Sequence, residues 1–129
     1  MRYVVDTHAL LWHLGRDARL GANAREILDD PSQLLIVPVL VLLEAKHAAE
    51  RKRVSVSFES VMQELITSPR ISIFPLEVST VNYLSSELDI HDAIIVATAR
   101  FCKDFLNEEI SVLTNDRAIT QSGLVTTVW

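Results

Sequence analysis

Four carboxylates in this 129-residue sequence occupy positions where side chains with a chemical role are expected. Asp6 ends a short apolar run of β-forming residues and is followed by a hydroxyl, whereas Asp116 follows another such run after two polar residues. Glu44 and Asp92 each interrupt a stretch that is otherwise almost entirely apolar. Because carboxylates seldom lie on a core-facing stripe unless they are paired or bind a metal, these residues predict a shared acidic site.

The chemistry of such a site follows from its electrostatics. Two carboxylates about 4 Å apart repel by about 4 kcal/mol at an effective dielectric constant of about 20, so several such pairs would cost as much as a small domain's stability. The cluster is therefore stable only if divalent cations bind it or if some acids are protonated. Oxygen ligands without cysteine favour Mg²⁺ or Mn²⁺ over Zn²⁺, and metal-assisted phosphoryl transfer is the typical chemistry of such a site.

Each of these acids also has a purely structural interpretation. Asp6 and Thr7 could simply cap the helix that follows them, and Asp92 could be a favourable charge near a helix N-terminus. Glu44 could lie at the edge of its apolar stripe and reach water or a lysine. Asp89 is the better candidate for the N-cap of the helix that holds Asp92, which leaves the Asp92 carboxylate free for another role.

The elements that must position the acids alternate along the chain between strands and helices. Short β-forming runs predict a first strand that ends at Asp6 and further strands at 34–37, 71–74, 110–113 and 125–129. Amphipathic segments predict helices at 8–14, 20–28, 39–52, 56–67, 78–88, 89–105 and 117–122. This order predicts a single α/β domain over residues 1–129, with a mainly parallel central sheet of four to five strands.

This topology is expected to bring the four acids together. Helix N-termini that follow parallel strands lie at the same sheet edge as the carboxyl ends of the strands, and ligands of open α/β sheets bind in the crevice at that edge. Asp6 and Asp116 follow strands, whereas Asp92 lies in the first turn of a helix and Glu44 lies about two turns into another. Four acids from distant parts of the chain are thus predicted to meet at one crevice.

Composition and charge limit the possible classes of protein. The formal net charge of −5 provides no electrostatic footprint for simple phosphate-backbone binding, although bound cations would offset the acids. The single Cys102 excludes an internal disulfide, fits a reducing compartment and is expected to be packed and inert. The longest apolar run, residues 34–43, is too short to span a bilayer, and the N-terminus lacks a signal-peptide pattern. We therefore expect a cytoplasmic protein with no membrane contact.

The segments that carry the acids resemble the signature segments of PIN domains, and more narrowly those of the VapC toxins of bacterial and archaeal toxin–antitoxin pairs. The resemblance covers the whole chain and is carried by residues 4–12, by Glu44 in its apolar helix, and by residues 91–99 and 113–116. It implies a three-layer α/β/α fold. One departure is Pro38, where many relatives have a small hydroxyl residue; the change could remove a polar contact near the substrate but leaves the acids unchanged.

The resemblance implies a metal-dependent endoribonuclease that acts as the toxin of a type II toxin–antitoxin system. The acids of the family motif, which are expected to be catalytic and to hold Mg²⁺ or Mn²⁺, correspond to Asp6, Glu44, Asp92 and Asp116. Metal-activated water is then expected to attack an RNA phosphodiester, with Thr114 in the position of a supporting hydroxyl. The resemblance further implies a homodimer and inhibition by a cognate VapB-like antitoxin that covers the active site.

Other residues near the acids are candidates for supporting roles. Thr7 and His91 each adjoin one of the four acids, although a surface position at the start of a helix is the simpler account of His91. His8 could also reach the crevice. Trp12 is expected to pack in the core or a dimer face rather than to stack on a base, and the basic run at residues 51–53 is either a solvated helix end or part of an RNA or dimer contact.

Three other functions compete with the nuclease. A non-catalytic module of the same fold, binding RNA or protein without cleaving it, would be favoured by the loss of an acid, and none is lost. A response-regulator receiver needs an acidic pair at the first strand and a phosphoacceptor aspartate after the third, but residues 75–77 are Pro-Leu-Glu. An aspartyl phosphatase needs a second aspartate two residues after the first, where this chain has His8. The sequence therefore favours the nuclease.

Overall fold

The computed structural model describes residues 1–129 and is built around a five-stranded sheet. Its strands, which lie in the order β3-β2-β1-β4-β5, are β1 (Arg2–Val5), β2 (Leu34–Pro38), β3 (Ile71–Phe74), β4 (Ile110–Leu113) and β5 (Thr126–Val128). Every neighbouring pair is parallel. The predicted α/β fold is confirmed, and its sheet is entirely rather than mainly parallel.

Six α-helices connect or flank the strands. They are α1 (Thr7–Leu14), α2 (Ala22–Asp29), α3 (Val39–Glu50), α4 (Phe58–Thr67), α5 (Ile90–Leu106) and α6 (Arg117–Ser122). Each lies within about two residues of a predicted helix, which is the usual uncertainty at frayed helix ends. None of the helices combines the length and the apolar character that a membrane crossing requires.

One predicted helix is wrong over most of its length. The pattern of residues 78–88 predicts an α-helix, but the structure forms only a 3₁₀ segment, Val78–Tyr83, followed by irregular chain. Part of the apolar set behind the prediction stays in solvent, since Val81 and Leu84 are 69% and 44% exposed, whereas Tyr83 packs edge-on against Phe101 of α5. Most helical stability in proteins comes from packing an apolar face, and β-branched residues are weak helix formers. The segment therefore lacks the packing that would stabilise a longer α-helix.

Helices cover both faces of the sheet, which makes the fold three-layered. Successive residues of a strand point to opposite faces, yet residues 3–5 of β1 and all four residues of β4 are buried. Burial on both faces also explains why these strands are continuous apolar runs rather than alternating ones. The edge strands β3 and β5 are more exposed, because a strand at an edge has a neighbour on one side only.

The order of the strands reverses between β1 and β4. From β1 the chain adds β2 and then β3 on one side, whereas β4 and β5 lie on the other side. In open parallel sheets the crevice at such a reversal is where ligands bind. Val5 pairs with Leu113, so the two central strands end level with each other. The residues that follow them, Asp6 and the segment up to Asp116, therefore border this crevice.

Cys102 is buried on α5, as its place in the helical pattern predicts. Burial raises the pKa of its thiol to about 11, because apolar surroundings disfavour the charged thiolate. The thiolate is the reactive form of cysteine, so this side chain is a packed and inert one.

The substitution Leu113→Ala tests whether the core supports the sheet edge. Leu113 is the last residue of β4, is fully buried, and its carbonyl accepts the backbone N–H of Asp6 at 3.1 Å. We expect the free energy of unfolding to fall by about 2–5 kcal/mol, because the truncation leaves a cavity in a packed core. Urea denaturation followed by circular dichroism measures this loss.

The matched control is Ile66→Ala on α4, where the side chain is 72% exposed. We expect its free energy of unfolding to change by no more than about 0.5 kcal/mol. Equal losses in the two variants would contradict the placement of Leu113 in the core.

Candidate functional site

All four acids predicted from the sequence line one cleft at the carboxyl edge of the sheet. The cleft has a volume of about 370 Å³. Its acids come from four separate places, namely the end of β1, the middle of α3, the first turn of α5 and the residue before α6. In chain order these residues are Asp6, Glu44, Asp92 and Asp116. Residues far apart in the sequence thus come together at the reversal of strand order.

Asp6 is oriented by two hydrogen-bond donors. The backbone N–H of Thr7 donates to its Oδ1 at 2.7 Å, and the hydroxyl of Thr114 donates to its Oδ2 at 2.6 Å. The same Thr114 hydroxyl accepts the backbone N–H of Asp116 at 3.0 Å. Because the Thr114 side chain is only 2% exposed, these bonds hold the end of β1 and the segment after β4 in a fixed relation. Thr114 thus fixes the orientation of the Asp6 carboxylate.

Glu44 is held by a hydrogen bond from Thr7, the residue that follows Asp6. The hydroxyl of Thr7 donates to Glu44 Oε1 at 3.1 Å, while Glu44 Oε2 lies 3.7 Å from Nδ1 of His91. Glu44 shares its helix with the buried residues Leu40 and Val41, and its own side chain is 31% exposed. The carboxylate therefore emerges from a core-facing stripe, as its sequence context predicts.

Two of the acids are helix caps as well as cleft residues. Asp6 is the N-cap of α1, and Asp116 is the N-cap of α6, where its Oδ1 accepts the backbone N–H of Ile119 at 3.0 Å. Capping does not exclude a second role, because an ionised carboxylate has about four lone-pair sites. Asp89 occupies the N-cap position of α5 as predicted, but its side chain makes no capping hydrogen bond.

The grouping of acids changes the pKa of Asp92. Its carboxyl has a pKa raised to about 6, first because it is partly buried and then because other acids surround it. Those acids, in decreasing order of effect, are Asp116, Asp6, Asp89 and Glu44. Both burial and nearby negative charge disfavour the ionised form of a carboxyl group. Asp92 therefore keeps its proton to a higher pH than an ordinary aspartate does.

The chemistry of the donor set suits a hard divalent cation. The cleft presents carboxylate and hydroxyl oxygens and no cysteine, which favours Mg²⁺ or Mn²⁺. A cation would also remove the electrostatic penalty on Asp92. As they are placed, however, no three Asp, Glu, His or Cys side chains stand close enough together to hold a metal ion. The carboxylates repel one another, and several of their oxygens already accept hydrogen bonds from other groups of the chain. Binding of a cation would therefore require the carboxylates to move closer together.

Two polar residues of the cleft were not predicted from the sequence. Asn115 and Arg117 flank Asp116 and line the cleft, and Arg117 is its only Lys or Arg. Their position next to Asp116, where the chain passes from the end of β4 to the start of α6, is the signal from which they could have been predicted. His91, by contrast, is 61% exposed in its side chain and lies outside the lining of the cleft, which it reaches through its contact with Glu44.

Comparison with known proteins supports the fold. A family model described as PIN domain matches residues 3–122 of this chain. Among solved structures, the chain is similar to one in the crystal structure of VapBC2 from Rickettsia felis bound to a DNA fragment from their promoter. The two share 15% sequence identity with a TM-score of 0.65, over 99% of this chain and 98% of the other. That likeness extends to the whole fold. No curated protein matches the sequence.

The substitution Asp92→Asn tests the electrostatic state of the cleft. The pKa of Asp92 is 3.8 in a model compound and about 6 in the folded protein, so its charge destabilises the fold above about pH 6 and has no effect well below pH 4. The full shift corresponds to about 3 kcal/mol, which solvent screening of this partly open side chain reduces to about 1 kcal/mol. Without divalent cations, we expect the variant to be more stable at neutral pH by about that amount.

Chemical denaturation across a range of pH measures this difference, which should vanish as the pH falls through about 4. The control is Glu26→Gln, which removes an exposed acid of α2 that does not line the cleft. A variant Asp92→Asn that was less stable than wild type at every pH would point to a structural role for this carboxylate.

Proposed function

The chain belongs to the PIN domain family, and we propose that it is a metal-dependent endoribonuclease that acts as the toxin of a type II toxin–antitoxin system. The observation that carries the proposal is the meeting of four carboxylates from separate elements in one cleft at the reversal of strand order. Helix capping would explain a single acid at the start of a helix. It does not explain a group of acids that raises the pKa of Asp92. Carboxylates with perturbed pKa values in clefts are typical of functional sites.

The four acids are the proposed ligands of Mg²⁺ or Mn²⁺: Asp6, Glu44, Asp92 and Asp116. When bound there, such a cation supplies Lewis acidity, which activates water for attack on an RNA phosphodiester and stabilises the leaving oxygen. The chain's own hydroxyls orient two of these carboxylates, since Thr114 donates to Asp6 and Thr7 donates to Glu44. Arg117 is a guanidinium at the same cleft and suits the charge of a phosphate group.

The likeness to the VapBC2 structure supports a partner protein for this chain. The described complex from Rickettsia felis is bound to a DNA fragment from its own promoter. For the present chain we propose a cognate VapB-like antitoxin that covers the acidic cleft, and a homodimer as the active form. Because its proposed substrate is RNA, the toxin would act in the cytoplasm.

Cleavage of labelled RNA in Mn²⁺ or Mg²⁺ tests the nuclease. We expect Asp6→Asn and Asp92→Asn each to lower the rate by about 100-fold or more, because the cation and its ligands account for several kcal/mol of transition-state stabilisation. Expression of either variant should no longer inhibit growth. The matched control is Asp104→Asn, which neutralises an acid of α5 that does not line the cleft and should leave the rate unchanged.

Full activity in either cleft variant would contradict the assignment of the site. A wild-type protein that binds RNA but does not cleave it with either metal would instead indicate a non-catalytic module of the same fold.

Thermal melting tests cation binding separately from catalysis. A ligand at about 100 times its dissociation constant stabilises a protein by about 2.7 kcal/mol, which for a domain of this size raises the melting temperature by about 10 °C. We expect Mn²⁺ to produce such a rise in wild type and in Asp104→Asn, and a much smaller one in Asp6→Asn or Asp116→Asn. The same rise in all four proteins would place the cation outside the cleft.

A further inference from the structure

The indole ring of Trp129, the residue that follows β5, packs against α1. Its centroid lies 5.7 Å from that of Trp12, and the two rings meet edge to face at an interplanar angle of 65°. The side-chain amide of Asn23 donates to the backbone oxygen of Trp129 at 2.9 Å. Edge-to-face contact is a favoured geometry of aromatic pairs, and the hydrogen bond holds the backbone of Trp129 at the start of α2. The end of β5 is thus held by both helices that follow β1.

The backbone at Gly21 leaves room for this indole. A Cβ atom at this position would lie 2.5 Å from the backbone carbonyl carbon of Trp129 and 2.6 Å from Cδ1 of its ring. Such distances are shorter than non-bonded atoms can approach, so a side chain here would displace Trp129. Glycine is the residue that permits so close an approach of the backbone to another group. The local sequence is therefore matched to a fixed position of Trp129.

Trp129 connects the two sides of the acidic cleft. One side is α1, from which Trp12 lines the cleft. The other side is the β4–α6 segment, residues 114–116, which carries one of the four acids. The end of β5 supports this second side, because the backbone N–H of Thr114 donates to the carbonyl of Val128, the residue before Trp129, at 3.2 Å. The Trp129 ring therefore joins α1 to the strand that holds the opposite side of the cleft.

Several contacts fix the direction of α1, and the one with Trp129 lies toward its far end. Residues 9–11 are buried in the core, and Asp6 caps the start of the helix and accepts the Thr114 hydroxyl. Trp12 lies about 9 Å from Asp6 along the helix, at a rise of about 1.5 Å per residue, and contacts Trp129 there. A second contact distant from the cap limits tilting of the helix about its start.

Tilting of α1 would change the cleft directly. The rings of His8 and Trp12, whose centroids lie 5.2 Å apart, both line it, and Thr7 of the same helix donates to Glu44. The distance between Glu44 and the β4–α6 segment therefore depends in part on the position of α1. Catalytic groups must be placed accurately, since a displacement of about 1 Å that arises far from the chemistry can cost about 100-fold in rate.

We propose that Trp129 is a positioning residue of the acidic site. It holds α1, through Trp12, in a fixed position relative to the β4–α6 segment, and it thereby sets the spacing of the acids on the two sides of the cleft. The inference rests on the proposed function, which supplies the reaction, and it assigns a role to a residue outside the lining of the cleft. A purely structural role would affect the stability of the chain alone.

RNA cleavage in Mn²⁺ by Trp129→Ala and Trp129→Phe tests this role, at a temperature at which circular dichroism shows both variants to be folded. We expect kcat of Trp129→Ala to fall about 10- to 100-fold while KM changes less than about threefold, because displaced acids lose interactions with the transition state. Trp129→Phe should recover most of the rate, since phenylalanine keeps an edge-to-face partner for Trp12.

The matched control is Phe58→Ala, which truncates a partly buried aromatic side chain of α4 outside the lining of the cleft. We expect this variant to melt at a lower temperature than wild type and to keep the wild-type kcat.

The variant Gly21→Ala tests the same contact without changing Trp129, and it serves in place of Trp129→Ala if that variant does not fold. The added methyl group should displace the indole, because it would overlap the ring and the backbone of Trp129. We expect kcat to fall as in Trp129→Ala. The exciton signal of Trp12 and Trp129 in circular dichroism should weaken as well, and these are the chain's two tryptophans.

Hydrogen exchange of the metal-free protein tests the positioning independently of any reaction. We expect Trp129→Ala to raise the exchange rate about fivefold in peptides that cover α1 and the β4–α6 segment, relative to peptides that cover β2, because local contacts determine local opening. Phe58→Ala should raise exchange in α4 instead.

Wild-type kcat in both Trp129→Ala and Gly21→Ala would overturn the proposal, and so would an equal loss of kcat in Phe58→Ala. Unchanged exchange on both sides of the cleft in Trp129→Ala would also overturn it. If the wild-type chain does not cleave RNA with Mn²⁺, the nuclease is contradicted. Faster exchange confined to the two sides of the cleft would then still support the positioning by Trp129. The two proposals thus fail in different experiments.

Discussion

The hydrogen bond from the Thr114 hydroxyl to Asp6 joins the two strands between which the sheet reverses its order. The hydroxyl is almost fully buried and also accepts the backbone N–H of Asp116, so two acids that are far apart in the sequence share one fixed support. Buried hydrogen bonds to charged groups are strong, and a missing partner would leave a polar group unsatisfied. The other residues of the site are positioned relative to this junction.

Concentration of negative charge is the second organising feature of the molecule. Four acids line the cleft, and after partial burial the charges of the other three contribute to the raised pKa of Asp92. This arrangement does not favour the stability of the isolated chain, because like charges repel. The fold is thus locally less stable at one edge of the sheet, as is typical of functional sites in proteins.

The same edge explains why helix capping and chemistry coincide at Asp6 and Asp116. A residue that directly follows a parallel strand both starts the next helix and faces the crevice at the sheet edge. Its carboxylate can satisfy an exposed backbone N–H and still present oxygens to a ligand. The structural and functional interpretations of these acids are therefore compatible.

Strand and helix positions were largely determined by the sequence itself, because apolar runs with β-branched residues and amphipathic segments with clear end signals specify local structure directly. The acids of the cleft were also predictable, since a carboxylate within an apolar stripe, as at Glu44, is costly without a partner. Residues 78–88 show the limit of such patterns. Their apolar spacing suits a helix, but only the packed molecule decides how much of that apolar surface is buried, and Val81 and Leu84 stay largely exposed.

Tertiary structure alone decided which side chains meet. The hydrogen bond between Thr114 and Asp6 and the contact between Glu44 and His91 both join residues from different parts of the fold. Spacing along a chain carries no record of such contacts, because they depend on strand order and on the packing of helices against the sheet.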